Sequence, residues 1–166
     1  MDSEALLRHL AARQLNHVVI GGVAVNGHGV IRATKDLDIC PDPAPENLAR
    51  LAEILRDLDA AQVGMEDFTT EEMPFDPTNV DDLAQGGNFR LTTRLGDLDV
   101  MQWLAGIDGD LAFPILAADV VIVELPGIEV PICSLHHLRA MKRAAGRPQD
   151  LKDLADLAVA HGDDGI

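Results

Sequence analysis

The sequence predicts an α+β fold, a mixed and mainly antiparallel sheet flanked by helices, and three observations carry that expectation. Short strand-like runs surround two acidic motifs, Asp36-Leu37-Asp38 and Asp97-Leu98-Asp99. Apolar residues at helical spacing fill both ends of the chain and the 46–61 segment. Two further pairs of runs meet at Gly96 and at Pro126-Gly127, as the arms of hairpins do. The 166 residues suit one domain spanning 1–166, large enough to bury a core without disulfides or structural metal.

Taken in order, Leu6, Leu7, Leu10, Ala11 and Leu15 predict a first helix over 3–14, with Ser3 as its cap. Val18-Val19-Ile20 reads as a strand that runs into Gly21-Gly22, and residues 23–29 read as a short helix stopped by a glycine. The next strand carries Thr34, Asp36 and Asp38 on one face by parity, with Leu37 and Ile39 turned to the core and Lys35 to solvent. Prolines 41, 43 and 45 end it, and Leu48, Leu51, Ala52, Leu55 and Leu58 predict a packing helix over 46–61. Residues 62–88, acidic and without periodicity, read as a long solvated loop. Strands over 89–93 and 97–102 follow, then a short helix over 111–116 and a hairpin of 120–125 with 128–133. Ser134 caps a predicted helix over 135–145 that Gly146 closes, and Pro148 opens the last helix, which carries Leu151, Leu154 and Leu157.

Charge narrows the function. Thirteen basic residues against 28 acidic give a net −15, which argues against an extended nucleic-acid surface, since such binding depends on neutralising phosphates. Tyrosine is absent and aromatics are 3% of the chain, too few for a base-stacking platform. Five of the cations, Arg139, Lys142, Arg143, Arg147 and Lys152, fall within fourteen positions and form a local basic cluster. Cys40 and Cys133, with no Cys-x-x-Cys pair and no secretory-type start, point to a reducing cytoplasm. No apolar run reaches the roughly 18 residues of a membrane span.

The chemistry converges on two stretches. Asp36 and Asp38 on one strand face repel unless a cation or a proton sits between them, and an all-oxygen site suits magnesium or manganese. Gly21 and Gly22, lacking side chains, let backbone N–H groups approach a phosphate closely. Of the second acidic pair, Asp97 follows the turn glycine while Asp99 lies between Leu98 and Val100 inside the strand. A charge flanked by core residues needs a partner, which makes Asp99 the expected third acid.

Gly21-Gly22, thirteen intervening residues and Asp36-Leu37-Asp38-Ile39 together resemble the signature of the nucleotidyltransferase superfamily with the polymerase-beta-like fold. The likeness is to small bacterial members of toxin–antitoxin and abortive-infection systems. Gly96-Asp97-Leu98-Asp99-Val100 resembles the family's later acidic strand, and Lys142 to Arg147 followed by Asp150 resembles its C-terminal helical segment. The chain departs from many members in having Gly22 where they carry serine. The resemblance implies transfer of a nucleoside monophosphate from a nucleoside triphosphate to an acceptor, be it protein, RNA or small molecule. It implies two magnesium or manganese ions held by Asp36, Asp38 and Asp99, and nucleotide contacts from Gly21, Gly22, Thr34, Lys142 and Arg147. The alternative implied is a non-catalytic nucleotide- or partner-binding module, paired with a cognate toxin or antitoxin.

Overall fold

A computed structural model describes residues 3–65, 67–69 and 71–163. The chain runs α1 (Ser3–Ala12), β1 (His17–Ile20), α2 (Gly21–Gly27), β2 (Asp36–Pro41), α3 (Pro45–Asp57), β3 (Ala61–Gln62), α4 (Val80–Ala84), β4 (Asn88–Thr93) and β5 (Gly96–Met101). It continues through α5 (Ala112–Ala117), β6 (Val121–Leu125), β7 (Ile128–Ile132), α6 (Leu135–Ala145) and α7 (Pro148–His161). The seven strands form one sheet in the order β3-β4-β5-β2-β1-β7-β6. Four neighbouring pairs are antiparallel, whereas β2 with β5 and β1 with β7 are parallel. The α+β class, mainly antiparallel and flanked by helices, is as the sequence predicts.

Burial follows strand parity where it positions the acids. Leu37 and Ile39 on β2, with Leu98 and Val100 on β5, are fully buried, and Asp36, Asp38 and Asp99 alternate with them at half-buried positions. The same core takes in Leu6 and Leu10 of α1, and Leu48, Leu51 and Leu55 of α3. Transfer of such side chains out of water, about 1.5–3 kcal/mol each, is what holds the two acidic strands rigid.

Two expectations need correction. The 46–61 helix stops at Asp57, and Ala61 belongs to β3 instead. Asp59 adopts φ 52°, its N–H bonds to Arg56 O at 3.1 Å, and the Ala60 N–H bonds to Leu55 O at 3.0 Å, so the helix closes in a Schellman motif built without glycine. Leu58 keeps the helical periodicity only because it packs, fully buried, beneath that cap. The 62–88 segment is likewise not loop throughout: α4 forms within it, capped by Asn79, whose side chain accepts from the Asp81 N–H at 2.9 Å. The C-terminal signals act as expected. Ser134 Oγ accepts from the His137 N–H at 3.1 Å, and Gly146 takes the left-handed conformation at φ 60° that ends α6.

Candidate functional site

Parallel pairing of β2 with β5 sets Asp36 opposite Asp97 and Asp38 opposite Asp99. One carboxylate oxygen from each of Asp36, Asp38 and Asp99 lies within 4.8 Å of the others. Asp97 is exposed and outside that cluster, the outcome that its turn position suggests. Arg90, opposite Asp99 on β4, approaches it at 3.8 Å but is itself largely exposed, a weak counterion.

The electrostatics follow from crowding. Burial first, then the charges of Asp36 and Asp99, push Asp38 up to about 8, against a downward pull from Lys142. Asp99 is raised by burial and by Asp36, with Arg90 opposing. Three carboxylates with so little compensation favour a proton or a cation among them, and their all-oxygen donor set fits a hard divalent ion such as magnesium.

Gly21 meets this cluster directly. It holds φ +67°, and a methyl group there would lie 1.9 Å from Asp38 Oδ2, so a side chain would displace the carboxylate. The close approach read from the glycine pair is therefore first an approach to the chain's own acid. Gly22 is packed less tightly, but its side-chain space is taken by Thr34 Oγ1 at 2.7 Å and Arg32 Nη2 at 3.0 Å. β2 begins at Asp36, so Thr34 precedes the strand that parity assigned it to; it stands at the turn with its hydroxyl donating to Asp36 O at 3.2 Å.

The basic cluster, which the resemblance brings to the nucleotide, is in large part engaged within the chain. Lys142 is only 7% exposed and bonds Asp150 at 3.0 Å and Asp153 at 2.9 Å, two carboxylates that are themselves buried. Arg147 is 73% exposed, and its Nε bonds Asp150 at 2.6 Å. Asp150 also accepts from the Arg147 backbone N–H, closing the first turn of α7. Against the upward pull of burial, hydrogen bonds from Arg147 and Lys142 hold Asp150 at about 2. Lys142 is thereby committed to a structural link between α6 and α7, while its field reaches Asp38. Arg147 in turn faces the charges of Asp38 and Asp36.

Sequence reasoning missed Arg32 and Asp153. Arg32 Nε and Nη2 donate to Asp153 at 2.7 and 2.9 Å, across 121 residues of chain. A signal existed: Asp150, Asp153 and Leu157 share the buried face of α7, and two acids where helix periodicity wants apolar residues demand cations. His28 is likewise held from far along the chain, its Nε2 2.8 Å from Cys133 O. A cleft of about 580 Å³ beside Trp103 and Leu104 contains none of the acids, so the site is recognised by its chemistry and not by a cavity.

Comparison with known proteins bears on this arrangement. A crystal structure from Thermotoga maritima, described as a "putative nucleotidyltransferase", superposes with a TM-score of 0.57 over 93% of this chain and 91% of that one, at 18% identity. The fold is nucleotidyltransferase-like. No family model matches the sequence, and no curated protein does. Among the described residues no helix is long and apolar enough to cross a membrane.

Proposed function

We propose that this chain is a metal-dependent nucleotidyltransferase that moves a nucleoside monophosphate from a nucleoside triphosphate to an acceptor, whether protein, RNA or small molecule. The observation that carries the reading is the convergence of Asp36, Asp38 and Asp99 within 4.8 Å on two paired strands, beside Gly21, where a side chain would strike Asp38. Asp36, Asp38 and Asp99 would hold magnesium or manganese, two ions when the nucleotide is present. When bound, such ions neutralise the charge that builds on the attacking, leaving and non-bridging oxygens. Asp99, which completes the acidic set, helps activate the acceptor, taking its proton at a carboxylate oxygen as the bond to the α-phosphorus forms and pyrophosphate leaves. Gly21 and Gly22 bring backbone to the β- and γ-phosphates, Thr34 offers a hydroxyl there, and Arg147 supplies an exposed cation. Lys142 contributes its field to Asp38 from within its ion pairs instead of a free ammonium.

The second reading is a non-catalytic nucleotide- or partner-binding module of a cytoplasmic toxin–antitoxin pair, favoured by the net charge of −15, which suits a basic cognate protein. Incubation with each α-labelled nucleoside triphosphate in lysate, with and without magnesium, separates the two. Label moving to protein, RNA or a small molecule only with magnesium supports transfer. Nucleotide bound without any transfer supports the module.

A further inference from the structure

The structure points to Arg32 as the residue that binds the nucleotide's terminal phosphates, oriented for that task by Asp153; we infer this from the packing around Gly22, and it rests on the nucleotidyltransferase reading. Arg32 lies in the irregular segment between α2 and β2, four residues before Asp36. Its backbone N–H bonds Asn26 Oδ1 at 3.1 Å, tying the residue to α2. Its guanidinium is gripped bidentately by Asp153, which is 0% exposed, and Nη1 donates to Ala33 O at 2.9 Å. Those bonds use three of five N–H groups and leave two for a ligand.

Nη2 lies 3.0 Å from the point a side-chain carbon on Gly22 would occupy, and Thr34 Oγ1 lies 2.7 Å from the same point. The polar groups presented at the turn are therefore a guanidinium and a hydroxyl borrowed from the neighbouring segment, and residue 22 must be glycine to admit them. Charge fits the assignment. Arg32, Lys142 and Arg147 share two carboxylates, Asp150 and Asp153, so this network carries one positive charge in excess beside a cluster of three acids. An anion placed between the two regions, with divalent ions on its acidic side, meets opposite charge on both. Asp153 remains paired with Lys142 at 2.9 Å and Gln149 at 2.8 Å when Arg32 is replaced, so the fold has support without it.

The test is calorimetry of the full chain with magnesium tripolyphosphate, which presents the phosphates without a nucleoside. Arg32→Gln is expected to weaken binding roughly ten- to a hundredfold, as loss of a hydrogen bond between charged groups does, and Arg32→Lys to weaken it less. Asp153→Asn should weaken it through Arg32 alone, so that it costs little further in the Arg32→Gln background. Manganese binding, followed by electron paramagnetic resonance, should persist in all of these variants because the three acids are untouched. Parent-like tripolyphosphate affinity in folded Arg32→Gln overturns the assignment and leaves the functional reading standing; if that variant fails to fold, parent-like affinity in Arg32→Lys does the same. A parent protein that binds no tripolyphosphate with magnesium overturns both.

Discussion

Two carboxylate clusters, one half-buried and one buried, lie close together in this molecule and behave in opposite ways. On β2 and β5, Asp36, Asp38 and Asp99 crowd one another with a loosely held Arg90 and the field of Lys142 for compensation, and Asp38 rises to about 8. On α7, Asp150 and Asp153 are more deeply buried, yet Asp150 falls to about 2, because Arg32, Lys142 and Arg147 bond them directly. Burial raises the carboxylates of both clusters, and the cations bonded to Asp150 overcome it where those near Asp38 do not. The first cluster is short of positive charge and so is built to receive it from outside. The second is complete.

The sharpest way to break this contrast is to remove one acid from the deficient cluster. Asp99→Asn is expected to reduce label transfer below detection while leaving the fold intact, and Asp97→Asn to stay within a few fold of the parent. The reverse ranking in a side-by-side assay would move the third acid to the turn. Removing a cation from the complete cluster should act on stability instead. Lys142→Ala leaves two buried carboxylates sharing fewer partners and is expected to cost about 3 kcal/mol in urea unfolding, the lower end for breaking a buried pair because Arg32 and Arg147 remain. A loss below about 1 kcal/mol would show that Lys142 does not hold α6 to α7.

The clusters also titrate in opposite directions. Asp38 has a folded value of about 8 against its ordinary 3.8, so the stability tied to its proton is present at low pH and is lost as pH rises through about 8. Asp150, at about 2 against 3.8, contributes stability that is present above 3.8 and lost as pH falls toward 2. Thermal unfolding in chelator is therefore expected to weaken from pH 6 to pH 9, and saturating magnesium to flatten that slope, since the ion replaces the proton. A slope unchanged by magnesium would count against a cation among the acids. The smallest effect belongs to Arg147→Ala. Its exposed pair with Asp150 is worth under about 1 kcal/mol, so its unfolding midpoint should barely move while magnesium–triphosphate affinity drops several fold by calorimetry.

Much of the deficient cluster was legible in the chain. Period-two alternation through Asp36-Leu37-Asp38-Ile39 set both acids on one face, and the turn at Gly96 separated an exposed Asp97 from an embedded Asp99. The complete cluster was less legible, because its acids lie on a helix and their partner Arg32 is 121 residues away. Helix periodicity, read from Leu151, Leu154 and Leu157, misplaced the face, since Leu151 is exposed while Asp150 and Asp153 are buried with Leu157.

Outside the 58–88 stretch, the sequence by itself determined most of the local elements, their caps at Ser134 and Gly146, and which side each strand acid would take, since these depend on backbone sterics and on neighbours within a few residues. Only the tertiary structure decided that β5 pairs parallel to β2, so that Asp99 reaches Asp38, and that Lys142 is enclosed by Asp150 and Asp153. It decided, too, that α3 closes at a left-handed Asp59 four residues after its last buried leucine of the helix, Leu55. Strand partners and ion partners are chosen by the packing of the whole chain, where many similar runs and charges compete, and no short window of sequence contains that competition.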